Sequence, residues 1–144
     1  MNGLLRLLHL IFGGVFVYAG VLKVWQPLVF VDDIRSYDLL PDPFPALVAL
    51  FLPWLEILAG LAVVTGRLRQ GGLLVLNASL VVFLAAISLS WWRGIDIRCG
   101  CFGGGEEASS NYTELIVRDL LLLALGLGLM LKGAKAASAP PASC

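Results

Sequence analysis

Residues 44–65 read FPALVALFLPWLEILAGLAVVT. At 1.5 Å of rise per residue, an apolar helix of this length crosses a hydrocarbon core of about 30 Å. Two residues interrupt it. Pro53 removes a backbone hydrogen bond and predicts a kink. Glu56, one turn later, lies deep in the run, where an ionisable group is costly unless it is paired or functional. This stretch makes the protein an integral membrane protein, and the segments on either side follow from it.

Residues 4–24, LLRLLHLIFGGVFVYAGVLKV, form a first span. Arg6 and the Val17-Tyr18-Ala19 triplet resemble a signal peptide, but apolar character runs on to Val24, which favours a retained helix. Residues 72–91 form a third span containing Asn77. Trp91 and Trp92 at its end read as interface anchors, because indoles favour the headgroup level. Residues 113–131 form a fourth, opened by the capping-box pattern Asn111-x-x-Glu114. In the loop at 26–45, Phe30, Ile34 and Tyr37 recur at helical spacing, set against Asp32, Asp33 and Ser36, after Pro27. That pattern predicts a short amphipathic helix on the membrane surface. Asp42 is the expected N-cap of the next span. Residues 66–71 form a tight basic turn. The composition agrees: 144 residues, 59% hydrophobic and 14% charged, with a mean hydropathy of +0.90. A soluble domain carries nearly twice that charged fraction. The expected fold is all-α: an antiparallel four-helix membrane bundle over residues 1–132, with an interfacial helix in the first loop. Residues 133–144, Ala/Ser/Pro-rich, are expected to be a disordered cytoplasmic tail.

Charge placement orients the bundle. Arg6, Arg67, Arg69, Lys132 and Lys135 occupy the N-terminus, the second turn and the tail, segments without acidic residues. Asp32, Asp33, Asp38, Asp42, Asp96, Glu106 and Glu107 occupy the first and third loops. Arg35, Arg93 and Arg98 lie among them and weaken the contrast. The two arginines of the short second turn nevertheless favour both termini in the cytoplasm. The net charge is zero, which gives no sign of nucleic acid.

The third loop then faces the extracytoplasmic side, where disulfides persist. It carries Ile97-Arg98-Cys99-Gly100-Cys101-Phe102-Gly103-Gly104-Gly105. A disulfide across C-x-C closes a very small ring, and a strained bridge is the more easily reduced one. Gly100 tolerates backbone angles that other residues avoid. Arg98 favours the Cys99 thiolate, the attacking form, and so marks Cys99 as nucleophile and Cys101 as its resolving partner. Two other readings stand beside this one. Cysteines in apolar proteins are often small buried hydrophobes. A zinc site needs four ligands where C-x-C supplies two, so no metal is assigned. Cys144, the third cysteine, falls across the membrane from this pair and reads as a tail thiol without a role.

Besides Arg6 and Glu114 at the starts of their spans, four charged residues lie in the spans. Lys23, at the outer end of the first, can snorkel to the interface. Arg118 and Asp119 point about 100° apart, so each is expected to meet a partner on another helix rather than the other. Glu56 is deepest. Glu56, Arg118 and Asp119 either fix helix packing or line a polar cavity beneath the cysteine loop, able to carry protons or hold a quinone headgroup. Asn77 reads as an interhelical hydrogen-bond donor and His9 as an interface residue.

Cys-Gly-Cys-Phe-Gly at 99–103 resembles the signature of the MauE family of membrane proteins, within the broader DoxX-like group. Ala19-Gly20-Val21-Leu22-Lys23, Tyr37 through Pro41, Pro53-Trp54-Leu55-Glu56 with Gly60, and Arg118-Asp119 also resemble that family's pattern. The resemblance implies a bacterial inner-membrane protein that supports maturation of a periplasmic, disulfide-rich dehydrogenase subunit of methylamine metabolism, alongside a thioredoxin-like partner. By the same resemblance Cys99 and Cys101 are the redox pair, with Arg98, Gly100, Phe102 and Gly103 around them, and Lys23, Glu56, Arg118 and Asp119 the embedded polar positions. The group is also similar to four-helix thiol oxidoreductases that exchange electrons with quinones, which makes a quinone the one candidate cofactor. Those enzymes use C-x-x-C and a second loop pair, and this chain has neither. Three functions stay open: a thiol–disulfide oxidoreductase, a non-catalytic assembly factor or membrane anchor, and a transporter of a thiophilic metal.

Overall fold

The computed structural model describes residues 3–95 and 112–137. The described residues form five helices: α1 (Gly3–Trp25), α2 (Pro27–Ser36), α3 (Phe44–Thr65), α4 (Arg69–Trp92) and α5 (Tyr112–Ala137). No strand occurs among them. Three, α1, α3 and α4, are long and apolar enough to cross a membrane. α5 is the longest, at 26 residues, and carries Glu114, Arg118, Asp119, Lys132 and Lys135.

Small residues set the packing. A Cβ on Gly13 of α1 would come within 2.7 Å of the Gly60 carbonyl oxygen of α3, and one on Gly60 within 2.8 Å of the Gly13 oxygen. Seven residues further along α1, Gly20 meets the Pro53 carbonyl and Ile57 in the same way. On the other flank of α3, Gly72 of α4 lies against the Ala59 carbonyl. Without a hydrophobic force between helices in lipid, this close backbone approach supplies the van der Waals contact that joins them. Phe12 and Phe16, their ring centroids 5.1 Å apart, fill the core with Val63, Leu73, Leu76 and Leu129. The outer surface is the inverse of a soluble protein's. Leu50, Phe51, Trp54 and Leu58 of α3 and Val82 of α4 are exposed, an apolar surface suited to lipid contact.

Local differences from expectation have plain causes. The basic turn contracts to residues 66–68, because Gly66 (φ 79°) and Leu68 (φ 54°) turn the chain and Arg69 already belongs to α4. The α3 N-cap is Pro43, without a side-chain cap bond. Asp42 instead accepts hydrogen bonds from Arg35 Nε and Nη2, at 3.1 and 3.0 Å. In α2, Asp33 is buried along with Phe30 and Ile34. It stands three residues from Phe30, so it shares that face rather than opposing it. Phe30 and Ile34 pack on Ala49 of α3. α5 continues to Ala137, so residues 133–137 are helical rather than disordered; Lys and Ala are good helix formers.

Candidate intramembrane polar site

The close approach at Gly20 builds the site. Lys23 follows Gly20 by three residues and Glu56 follows Pro53 by three, so each continues the contacting face of its helix. Lys23 does not snorkel. Its Nζ donates to Glu56 Oε1 at 2.9 Å and Oε2 at 2.7 Å, and both side chains are 2% exposed. Phe30 of α2 and Phe83 of α4 present their rings 5.0 and 5.2 Å from the ammonium, within cation–π range. The path to the interface is closed by aromatic rings, and the carboxylate supplies the charge that water would have solvated.

Arg118 and Asp119 of α5 complete the cluster. Contrary to the expectation from their 100° separation, they touch. Arg118 Nη2 and Nε lie 3.3 and 3.4 Å from Asp119 Oδ1, because a long guanidinium side chain can fold back along its own helix. Arg118 is one-third exposed, Asp119 fully buried. Lys23, Glu56, Arg118 and Asp119 line one small cavity of about 30 Å³ together with Phe16, Ala19, Leu80, Phe83 and Leu122. An apolar cavity that admits a benzene ring has about 150 Å³, and a water needs about 10–15 Å³. The volume is large enough for water and far smaller than a quinone ring needs. A second cavity of about 700 Å³ lies between α2, α3 and α4, walled by hydrocarbon such as Ile34, Leu52, Leu55, Val82 and Phe83.

Other expectations are redirected. His9 is buried, not interfacial, with Nδ1 on the Leu5 carbonyl. Asn77 Nδ2 donates to Leu73 of its own helix at 2.8 Å, not to a neighbour. No group of three or more His, Cys, Asp or Glu able to hold a metal occurs among the described residues. Arg98, Cys99, Gly100, Cys101, Phe102, Gly103, Asn111 and Cys144 lie outside the described residues. The two chain ends that flank residues 96–111 are described. Ile95 packs with Tyr37, Ile87 and Leu115, and Arg93 Nη1 donates to the Asp38 carbonyl at 2.9 Å. Ile87 stands one turn beyond Phe83, and Leu115 one turn before Asp119. The apolar cluster on which Ile95 packs therefore sits one helical turn from the polar chamber.

What sequence reasoning missed is the Lys23–Glu56 pairing and its aromatic box. The signal was present: glycine and proline, each three residues before an ionisable group, on helices long enough to pack.

Membrane-length helices joined through glycine, an apolar outer face and a caged ion pair define a multi-span α-helical membrane protein. The chain belongs to the MauE family: the family described as "Methylamine utilisation protein MauE" matches residues 1–132. It is 33% identical to the methylamine utilization protein MauE of Paracoccus denitrificans over 116 residues, 80% of this chain and 62% of that one. It is 36% identical to the protein of the same name from Methylorubrum extorquens over 122 residues, 83% of this chain and 65% of the relative. The match to the Methylophilus methylotrophus protein is 33% over 114 residues, 78% and 60% of the two chains. The chain thus spans somewhat under two thirds of the length of these relatives. No solved structure matches it.

Proposed function

We propose that this protein is a membrane thiol–disulfide redox protein whose Cys99–Cys101 pair exchanges electrons with an extracytoplasmic thioredoxin-fold partner, in the maturation of exported proteins. Its relatives carry names of methylamine utilisation, and a disulfide-rich exported subunit of that metabolism is the substrate this reading favours. The protein sits in the bacterial inner membrane as an antiparallel four-span bundle, α5 being the fourth span, with both termini in the cytoplasm. The observation that carries the reading is a C-x-C motif beside Arg98 in a loop whose described flank, Ile95, packs in an apolar cluster one helical turn from the polar chamber.

The chemistry balances within the two proteins. The Cys99 thiolate attacks the partner's disulfide; a Cys99–partner S–S bond forms and the partner's own S–S bond breaks, releasing its second sulfur as thiolate. The Cys101 thiolate then attacks Cys99 Sγ, and the partner departs reduced by two electrons. In the opposite direction the same steps oxidise it. With Cys101→Ser the second step is blocked, and the mixed disulfide accumulates as a reductant-sensitive adduct on a non-reducing gel. If neither single cysteine variant captures a partner, the exchange reading fails. Complementation of a deletion strain by Cys99→Ala/Cys101→Ala would show an assembly factor instead.

A further inference from the structure

We propose that the chamber between α1, α3, α4 and α5 is an internal water site, in which one or two water molecules held by Asp119 Oδ2 hydrate the α5 carboxylate while Glu56 stays locked to Lys23. The two buried carboxylates look alike in sequence and are opposites in structure. Both Glu56 oxygens accept from Lys23. Asp119 shares Oδ1 with Arg118 at 3.3 Å, but its Oδ2 is buried without a hydrogen-bond partner among the described residues. A buried carboxylate oxygen left bare is costlier than an unsatisfied neutral group. The space beside it, about 30 Å³, suits water. The other requirement, two to four polar partners, is also met. Lys23 has three N–H donors and spends two on Glu56, while the Glu56 carboxylate and the Arg118 guanidinium line the same space.

The consequence is a division of roles. Glu56 fixes α3 to α1, and Asp119 is the membrane-embedded carboxylate able to pass a proton to water. This goes beyond the thiol chemistry and stands without it.

Hydroxyl-radical footprinting tests it in the full-length protein in detergent, with radicals generated by an X-ray pulse, since bound water brings radical damage to side chains that bulk solvent does not reach. Phe16 and Leu80 line the chamber and are buried at 7% and 4% exposure. Phe12 and Leu129, at 0% and 2%, belong to the same core cluster but do not line the chamber. The expected result is oxidation of Phe16 and Leu80 with none at Phe12 and Leu129. Asp119→Leu, which fills the chamber with hydrocarbon, abolishes it, and Asp119→Asn keeps it. Equal oxidation of the two pairs in the unmodified protein overturns the proposal, and so does a label that survives in folded Asp119→Leu. Should Asp119→Leu not fold, the comparison in the unmodified protein decides alone.

Discussion

Removing one member of the Lys23–Glu56 pair should cost far more than removing both. Each side chain is 2% exposed, so neither charge regains bulk solvent when the other is deleted. Breaking a buried pair in this way costs about 3–5 kcal/mol, while replacing both members with apolar side chains of similar volume is often neutral or stabilising. The two single variants should also differ. Lys23→Met leaves Glu56 and Asp119 facing the same small chamber, with only the part-exposed Arg118 to compensate. It also forfeits two cation–π contacts, each worth about 0.5–2 kcal/mol. Glu56→Met leaves Lys23 between its rings with Asp119 nearby as a substitute partner. The expected order of stability is therefore unmodified protein close to Lys23→Met/Glu56→Met, then Glu56→Met, then Lys23→Met. Equilibrium unfolding in mixed detergent micelles, titrated with sodium dodecyl sulfate and followed by tryptophan fluorescence, gives the free energies and closes the double-mutant cycle. A coupling below about 1 kcal/mol would show the pair behaving as a surface salt bridge and refute the reasoning.

Two further outcomes are expected. Gly13→Ala should destabilise by about 1–3 kcal/mol, because its Cβ would sit 2.7 Å from the Gly60 oxygen, whereas Gly14→Ala, whose Cβ meets nothing within 4 Å, should be neutral or stabilising by up to about 1 kcal/mol; equal effects of the two in the same titration would remove α1–α3 contact as the cause. In reduced spheroplasts a membrane-impermeant maleimide should label Cys99 and Cys101 at once and Cys144 only after permeabilisation, and labelling in the reverse order would invert the proposed topology.

Three spans, α1, α3 and α4, were legible because length and apolarity are one-dimensional properties. The bounds read from residues 44–65 are those of α3, despite Pro53 and Glu56 inside it. Boundaries governed by local competition were less legible. Asp42 has the chemistry of an N-cap, but Arg35 offers its carboxylate two charge-assisted hydrogen bonds. Residues 133–137 are small and polar enough to read as a tail, but Ala and Lys extend a helix that has already nucleated. Asp33 was legible and misread, since its spacing from Phe30 already placed it on the buried face.

The charged residues were illegible for a different reason: sequence shows a charge in a span but not what stands opposite it. Lys23 near a helix end is a snorkelling lysine by position. What overrides position is the backbone contact at Gly20, which brings α1 so close to α3 that a carboxylate three residues past Pro53 lies within 2.7–2.9 Å of the ammonium. The same logic ranks the two pairs. Arg118–Asp119 is a contact between neighbours on one helix, 3.3 Å long and one-third exposed on the arginine side. Lys23–Glu56 joins two spans and is sealed by aromatic rings from α2 and α4, so four of the five helices share in it. Structural weight therefore rests on the interhelical pair. Asp119 bonds within its own helix through Oδ1, and its Oδ2 has no hydrogen-bond partner among the described residues.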